Sequence, residues 1–289
     1  MRVGIAVRWG KGLGWVLGAG WLSACVRPEQ PRVEAPKSTP EVRSEPTAAS
    51  LFQIAQAASA ADDPEATIQA YQLFVERHGA DVEYVEQTIE AELRIGQAYT
   101  AQGARRRAEA HYHAAVSAFA ASELGVGTEA AALPAEAKFL LAEYALSDMQ
   151  DLRLVGAAGG LEQEVDTLLN ALVAVVNAYD GVYVYKDVAW TLAAMYRRGH
   201  AFEVTAIKLR DAPVPDKLEE GSEAWLAYQS TVDAIAKRFE GKAIPLYIET
   251  VKRGAEFNIT TEWVRAARER LSIHMPQAYP PQAQRREQQ

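Results

Sequence analysis

Cysteine is nearly absent from this chain of 289 residues, which contains one cysteine and five histidines. A single cysteine excludes an intramolecular disulfide, and it excludes a zinc site built from several thiolates. Basic residues are in the minority, because 30 Lys+Arg face 38 Asp+Glu and the formal net charge is −8. That charge gives no support for binding the phosphate backbone of nucleic acid. The hydrophobic fraction of 49% indicates instead a globular chain with ample apolar residues for a core.

Motifs that carry catalysis are missing as well, since the sequence has no nucleophile elbow and no phosphate-binding loop. The stretch 125–130 matches G-x-G-x-x-A, but no strand pattern precedes it, so the dinucleotide-binding context is lacking. His111 and His113 would lie about 200° apart around a helix, whereas helical zinc pairs use an i,i+4 spacing. The sequence therefore predicts no catalytic residue, no metal and no non-covalent cofactor, and we do not expect an enzyme.

The first 24 residues differ in composition from everything that follows. Arg2, Arg8 and Lys11 supply positive charge without any acidic residue, and an uncharged apolar stretch runs over 12–24. A basic start followed by a short apolar stretch is the layout of a secretory signal. The stretch is shorter than the roughly 18–20 residues that span a bilayer. We therefore expect residues 1–24 to be a signal peptide.

The apolar stretch ends in an aliphatic residue, two small residues and the single cysteine: Leu22, Ser23, Ala24 and Cys25. This pattern resembles the lipobox of bacterial lipoproteins. The resemblance implies a covalent diacylglycerol on Cys25, cleavage before it and, since Val26 rather than Asp follows, an outer-membrane location facing the periplasm. Each buried CH₂ contributes roughly 0.8 kcal/mol, so two or more acyl chains give stable attachment to the membrane. The alternative is an ordinary signal peptide with an accidental cysteine.

Residues 25–50 carry the lipidated cysteine of this hypothesis and then a proline-rich segment without aromatic residues. Charges of both signs alternate along it, and little in it could be buried. This composition predicts a semi-rigid, disordered linker whose fully extended reach is about 75 Å. Five of the 13 prolines of the chain lie here, namely Pro28, Pro31, Pro36, Pro40 and Pro46.

From Leu51 onward, apolar residues recur every three or four positions, which predicts α-helix almost throughout. One helix pair has a defined pattern, with small residues where helices approach and tyrosines that fill the space between them. Its spacing resembles the tetratricopeptide repeat (TPR), and a degenerate copy precedes it by 41 residues. The sequence thus predicts an all-α, TPR-like α-solenoid of antiparallel helix pairs. The motif residues are Ile95, Gly96, Tyr99, Ala108, Tyr112 and Ala115.

Within this helical region we expect a TPR-like domain at 51–211, further TPR-like helices at 212–275 and a disordered tail at 276–289. Leu192-Ala193-x-x-Tyr196 is a candidate first helix of a later repeat, whose second helix is interrupted by Pro213 and Pro215. Aromatic residues cluster just before it, at Tyr179, Tyr183, Tyr185 and Trp190. Such residues are either core, as is usual in helical solenoids, or anchors of a binding interface.

The C-terminal block contains K-A-I-x-x-Y at 242–247, N-x-x-x-x-W at 258–263, A-R-x-R-L at 267–271 and a later Tyr-Pro pair. These elements resemble the C-terminal repeats of myxobacterial TPR lipoproteins, which include a lipoprotein of the adventurous gliding-motility apparatus. The resemblance implies a scaffold that binds other envelope proteins, in gliding motility. Alternatives are a pilotin or an outer-membrane protein assembly lipoprotein, and then a cell-wall-acting enzyme or its accessory.

Overall fold

The computed structural model describes residues 45–156 and 160–281, and every regular element within these ranges is a helix. The all-α prediction is therefore confirmed for the described residues. Short 3₁₀ turns lie at Val82–Tyr84, Glu129–Ala131 and Tyr183–Tyr185. The α-helices are α1 (Ala48–Ala60), α2 (Pro64–His78), α3 (Val85–Ala101), α4 (Arg105–Ala121), α5 (Ala132–Asp151), α6 (Leu161–Asp180), α7 (Val188–Arg210), α8 (Glu223–Glu256) and α9 (Glu262–His274).

Several helices begin at a side chain that accepts a hydrogen bond from a backbone N–H in the first turn, which satisfies a donor left free by the helix geometry. Thr47 does this for α1, Asp63 for α2 with Pro64 at the first position, Asp187 for α7 and Thr261 for α9. Because Thr47 caps it, α1 starts at Ala48, so the last three residues of the predicted linker, 48–50, are helical. Helix α8 starts in the same way, after Ser222.

The helices pack in chain order, each against the next, as expected for antiparallel pairs with short connections. The odd-numbered helices also pack on one another, α3 on α5, α5 on α7 and α7 on α9. In the described part of the chain, no two even-numbered helices pack on each other as extensively as these odd-numbered helices do. The stack therefore has two unlike faces, and the helices lie closer together on the odd-numbered side. This arrangement is compatible with an α-solenoid.

The even-numbered helices bury their side chains with one recurrent spacing, at positions i, i+4, i+7 and i+11. This spacing places all four residues on one face of a helix with 3.6 residues per turn. In α2 the fourth position is the partly exposed His78, and in the other three helices it is buried. The buried sets are Thr67, Tyr71 and Phe74 in α2; Ala108, Tyr112, Ala115 and Phe119 in α4; Leu168, Leu172, Val175 and Tyr179 in α6; and Ala243, Tyr247, Thr250 and Gly254 in α8.

Two of the helix pairs share a close approach of a glycine to a tyrosine ring. A Cβ added to Gly96 in α3 would lie 2.5 Å from Cε1 of Tyr112 in α4. A Cβ added to Gly199 in α7 would lie 2.6 Å from Cε1 of Tyr247 in α8. Gly199 thus occupies in α7 the position that Gly96 occupies in α3. The sequence pattern Leu192-Ala193-x-x-Tyr196 predicts this position at Ala193, about two helical turns before Gly199 in α7.

The C-terminal helices continue the stack without a break. The segment between α7 and α8 contains Pro213, whose ring packs against Gly156 after α5. Helix α7 packs against both α8 and α9, so residues on either side of the predicted boundary at 211 belong to one compact unit, which begins at Pro46. Of the predicted tail, residues 276–281 are described, and Tyr279 packs against the core around Tyr247.

Candidate functional site

We call the surface formed by α3, α5, α7 and α9 the odd-helix face. Polar side chains bridge neighbouring helices along it. Gln97 of α3 donates a hydrogen bond to Glu136 of α5 at 2.6 Å, and Arg197 of α7 donates one to Glu143 of α5 at 2.5 Å. Burial raises the pKa of Glu136, although Arg94 and the Gln97 hydrogen bond oppose this effect. These contacts fix the spacing of the helices that present the face.

Aromatic rings cover the C-terminal half of the odd-helix face. The ring centroid of Phe139 in α5 lies 5.1 Å from that of Trp190 in α7 and 5.5 Å from that of Trp263 in α9. Trp263 also lies 5.7 Å from Tyr196, and the guanidinium of Arg197 stands 4.9 Å above its ring. Three helices thus contribute to one aromatic cluster, and contacts of this kind stabilise a fixed arrangement of the rings.

A surface pocket of about 370 Å³ opens beside these rings, at the N-terminal ends of α7 and α9. We call it the tryptophan pocket. Trp190 and Trp263 are partly exposed, whereas Ala189, Glu262 and Arg265 are exposed. The pocket therefore combines apolar walls with one negative and one positive side chain. It is lined by Ala189, Trp190, Thr261, Glu262, Trp263 and Arg265.

A buried carboxylate holds α9 in place at its other end. Glu203 of α7 is only 2% exposed, and it accepts hydrogen bonds from the Tyr247 hydroxyl at 2.6 Å and from Nε of Arg270 at 2.8 Å. Nε2 of His274 pairs with its other oxygen. Burial disfavours the charged form, but the hydrogen bonds from Arg270, Tyr247 and His274 outweigh burial and lower the pKa of Glu203. The carboxylate thereby links α7, α8 and α9.

The residues of the predicted repeat motif come together in α3 and α4, and all six are buried. Burial is the main cause that raises the pKa of Tyr112 to about 12. The Tyr112 hydroxyl lies 2.8 Å from Oγ1 of Thr100, which is also 2.8 Å from the Tyr144 hydroxyl of α5. Ile95, Gly96, Tyr99, Ala108, Tyr112 and Ala115 therefore serve the packing of the stack.

The predicted aromatic cluster at 179–190 divides between core and surface. Tyr179 and Tyr185 are buried and pack in the core of the stack. The Tyr179 hydroxyl donates to Glu143, and its pKa is raised by burial and by that carboxylate. Tyr183 is partly buried beneath Arg198, which donates to its hydroxyl at 3.1 Å. Only Trp190 reaches the pocket.

Sequence reasoning missed the partners that make Trp190 part of a site. Trp263 lies two residues after Thr261, a recognisable helix start, but the sequence contains no sign that its ring contacts Phe139 of α5. Glu203 had a clearer signal, because a charged residue interrupts the otherwise apolar run Ala201-Phe202-Glu203-Val204. A carboxylate in such a run is buried only with partners.

The remaining sequence predictions concern the lipobox, the linker, the tail and the two neighbouring histidines. Leu22, Ser23, Ala24 and Cys25 lie outside the described residues, as do most of the linker and the end of the tail. Within residues 45–156 and 160–281, no group of three or more His, Cys, Asp or Glu side chains could hold a metal ion. His111 instead contacts Glu92 through Nδ1 at 2.6 Å and stacks on Tyr99.

One described segment, Leu161–Tyr185, is long and apolar enough to cross a membrane by length and composition alone. In the structure, α6 lies between α5 and α7, and Leu168, Val175 and Tyr179 are fully buried there. Core helices of helical proteins have the same composition, so this segment is weak evidence for a membrane span.

No protein-family model, no curated protein and no solved structure matches the chain. The site is a helical stack with one face that is braced by polar bridges and carries an aromatic pocket.

Proposed function

We propose that this protein is a TPR-like, non-enzymatic scaffold that binds another protein through the odd-helix face. The single observation that carries the proposal is the aromatic cluster of Phe139, Trp190 and Trp263, which three helices hold beside an open pocket. Partly exposed tryptophans in a fixed arrangement are the side chains that most often anchor protein–protein contacts. Stacked helix pairs offer an extended surface on which such an anchor can lie.

The repeat-like packing supports the TPR-like part of the proposal. The close contacts of Gly96 with Tyr112 and of Gly199 with Tyr247 recur at matching positions of two helix pairs, and the even-numbered helices share one buried spacing. Repeated units of this kind gain stability from their neighbours, so the surface they present is rigid.

We further propose that the scaffold works in the bacterial envelope, anchored to the outer membrane by lipid on Cys25 and facing the periplasm, in a complex such as that of gliding motility. The lipobox-like sequence Leu22-Ser23-Ala24-Cys25 and the basic, apolar segment before it support the anchor. The resemblance of the C-terminal block to myxobacterial TPR lipoproteins supports the choice of complex.

The anchor is tested by Cys25→Ser in the native host, with metabolic labelling by radioactive palmitate. We expect the unchanged chain to be labelled and shortened, and the variant to persist as an unlabelled precursor of full length. Normal processing and labelling of the variant would contradict the anchor.

The binding role is tested by photo-crosslinking in intact cells from an amino acid placed at Arg265, an exposed residue of the tryptophan pocket. We expect a discrete adduct with another envelope protein, and we expect Trp263→Ala to abolish it. The matched control carries the crosslinker at Lys237, an exposed residue of α8. Adducts of equal yield from both positions, or adducts that persist in Trp263→Ala, would contradict a specific binding face.

A further inference from the structure

Four connections lead from an even-numbered helix into the next odd-numbered helix, and each of them exposes one large apolar side chain. Since neighbouring helices run antiparallel, these connections lie at one end of the stack, which is also the end of the tryptophan pocket. We call this end the loop edge. The exposed fraction of its apolar side chains ranges from 47% for Phe257 to 86% for Val82. The four residues are Val82, Val126, Val184 and Phe257.

The opposite end of the stack has no comparable row. In the described residues of the four connections there, Val155 is the only exposed large apolar side chain. Single exposed apolar residues are common on protein surfaces and need no explanation. A row with one such residue in every connection follows the repeat of the stack, however, and therefore indicates a shared role.

Ordered turns carry most of the row. Val82 and Val184 each lie in a 3₁₀ turn. Gly127, directly after Val126, donates its backbone N–H to the carbonyl oxygen of Tyr185 at 2.8 Å, so the second and third connections are joined. Because these turns are already fixed, a ligand that covers them pays little for ordering them.

The loop edge is acidic around its first two apolar side chains. The segments 79–86 and 122–129 contain no Lys or Arg, and Lys186 is the only basic residue of the connections 181–187 and 257–261. The helix dipole favours acids at helix starts, but it gives no reason for the exposed valines beside them. Such an edge repels anionic lipid and a second acidic edge, and it attracts basic segments. The exposed acids of the first two segments are Asp81, Glu83, Glu86, Glu123 and Glu129.

The spacing of the row restricts the shape of a matching ligand. The odd-numbered helices that follow the four connections pack on one another, and packed helices lie about 8–10 Å apart. A polyproline helix has three residues per turn and rises about 3.1 Å per residue, so every third side chain lies on the same side at intervals of about 9 Å. An α-helix returns to the same side only after seven residues and about 10.5 Å, which is beyond this range.

We propose that the loop edge binds an extended, basic segment of another protein that carries an apolar side chain at every third position. The proposal rests on the proposed function, because the tryptophan pocket adjoins this edge and the same partner occupies both. Apolar side chains of the segment pack on Val82, Val126 and Val184, and Lys or Arg residues between them pair with the exposed acids. Apolar contact supplies affinity, and the charges select a basic partner.

The test uses the purified full chain and a fluorescent synthetic peptide of four Val-Lys-Pro triplets, whose binding is measured by fluorescence anisotropy. One control peptide has Glu in place of each Lys. A second control has the same composition with its four valines adjacent, which removes the spacing. We expect the first peptide to bind at least about tenfold more tightly than either control. Equal binding of the three peptides, or no binding of the first below about 1 mM, would overturn the proposal.

Substitutions of exposed valines locate the binding surface. The double variant Val82→Ser with Val126→Ser changes only exposed side chains, and circular dichroism checks that its helices persist. Val155→Ser is the matched control, because it removes an exposed valine at the opposite end of the stack. We expect the double variant to lose at least about tenfold in affinity and the control to bind normally. Undiminished binding by the double variant, or an equal loss in Val155→Ser, contradicts the loop edge as the site.

A charge exchange tests the preference for basic segments. Glu83→Lys combined with Glu123→Lys should weaken binding of the lysine peptide and strengthen binding of the glutamate peptide. Both substitutions are at exposed positions outside the α-helices. If the lysine peptide binds this variant as tightly as it binds the unchanged chain, charge complementarity plays no part and the proposal fails.

Further outcomes separate this proposal from other occupants and from the proposed function. Self-association of the chain, or binding to vesicles of anionic phospholipid, that is lost in the double valine variant would make a second copy or a membrane the occupant instead. If a photo-crosslinker at Arg265 captures an envelope protein in cells and the double variant captures it equally, the proposed function stands and this proposal fails. If the peptide binds the loop edge but Arg265 captures nothing, the tryptophan pocket is not the anchor and the proposed function fails.

Discussion

The close contact between Gly96 and Tyr112 makes a quantitative prediction about how the stack is held together. In Gly96→Ala, the new Cβ would lie 2.5 Å from Cε1 and 2.6 Å from Cδ1 of the tyrosine ring. Carbon atoms in favourable contact are about 3.5–4.0 Å apart, so the ring or the helix must move by about 1 Å. The ring is 1% exposed and its hydroxyl is hydrogen bonded to Thr100, so it has no free space to enter.

Two opposing effects set the magnitude. Overpacking a core costs about 1–3 kcal/mol, whereas replacing a helical glycine by alanine gains about 1 kcal/mol. We therefore expect Gly96→Ala to lower the free energy of unfolding by up to about 2 kcal/mol. Gly199→Ala should behave alike, because its Cβ would lie 2.6 Å from Cε1 of Tyr247, whose hydroxyl is also hydrogen bonded.

Gly241 provides the matched control within α8. It is a helical glycine whose added Cβ would meet nothing beyond its own helical turn within 4 Å, so Gly241→Ala should raise the free energy of unfolding by about 0.5–1 kcal/mol. Urea denaturation followed by circular dichroism measures all three variants. If Gly96→Ala or Gly199→Ala is as stabilising as Gly241→Ala, the close approach of the helix pairs is not as described.

A double-mutant cycle shows whether the tyrosine ring is responsible for the cost. Tyr112→Leu removes the ring carbons that the new Cβ would meet, so the cost of Gly96→Ala should disappear in that background. We expect a coupling of at least about 1 kcal/mol between the two sites, which is the range for residues in contact. Additive effects would mean that alanine is unfavourable at position 96 for a reason other than Tyr112.

Two further predictions concern Glu203 and the docking of α9. Glu203→Gln should lower the free energy of unfolding by about 3 kcal/mol, which is the low end for a broken buried pair because Arg270 is one third exposed. The control Glu249→Gln breaks a surface pair with Arg253 and should lower it by at most about 0.5 kcal/mol. Equal losses in the two variants would contradict the network around Glu203. The pKa of Glu203 is lowered in the folded state, so its stabilisation is complete above the unfolded pKa of about 4.3 and is lost as the pH falls through the folded pKa. The difference in unfolding free energy between the unchanged chain and Glu203→Gln should therefore shrink as the pH is lowered below about 4.3, and a difference that stays constant or grows would refute this assignment.

The all-α architecture could be predicted from sequence because it depends on local periodicity. Buried positions such as Tyr71, Phe74 and Tyr112 recur at helical spacing, and helix starts such as Asp63-Pro64 carry a recognisable signal. Both signals lie within a few residues of the feature they predict. Short-range patterns of this kind survive even where the repeat has diverged.

The close approach within the pair α7 and α8 is harder to predict because its two contacting residues lie far apart in sequence. Gly96 and Tyr112 are close along the chain and are joined by a tight turn, whereas Gly199 and Tyr247 are separated by the ends of α7 and α8 and the segment between them. Pro245 lies inside α8, where a proline is normally a sign that a helix ends. Pro245 is therefore a misleading helix-stop signal in the very pair that carries Glu203.

The candidate site could not be predicted because it depends on contacts between helices that are distant in sequence. The sequence shows Trp190 as one of a cluster of aromatic residues, but its partners Phe139 and Trp263 come from α5 and α9. Tyr179 and Tyr185 had the same composition signal as Trp190 and are buried. Aromatic content alone cannot distinguish a core position from a surface position, since both bury a large apolar ring.

The two ends of α9 are held by different chemistry, and this links the pocket to the buried network. Near its start, Trp263 packs on Phe139 and Tyr196; near its end, Arg270 and His274 bind Glu203. Since Trp263 can line the pocket only while α9 is docked, whatever weakens the Glu203 contacts also lowers the population of the complete pocket. By the same linkage, a ligand that binds between Trp190 and Trp263 only while α9 is docked also stabilises the docked helix. A ligand with higher affinity for the docked state stabilises it more. Loss of Glu203 should therefore weaken binding at a pocket whose lining residues it does not touch.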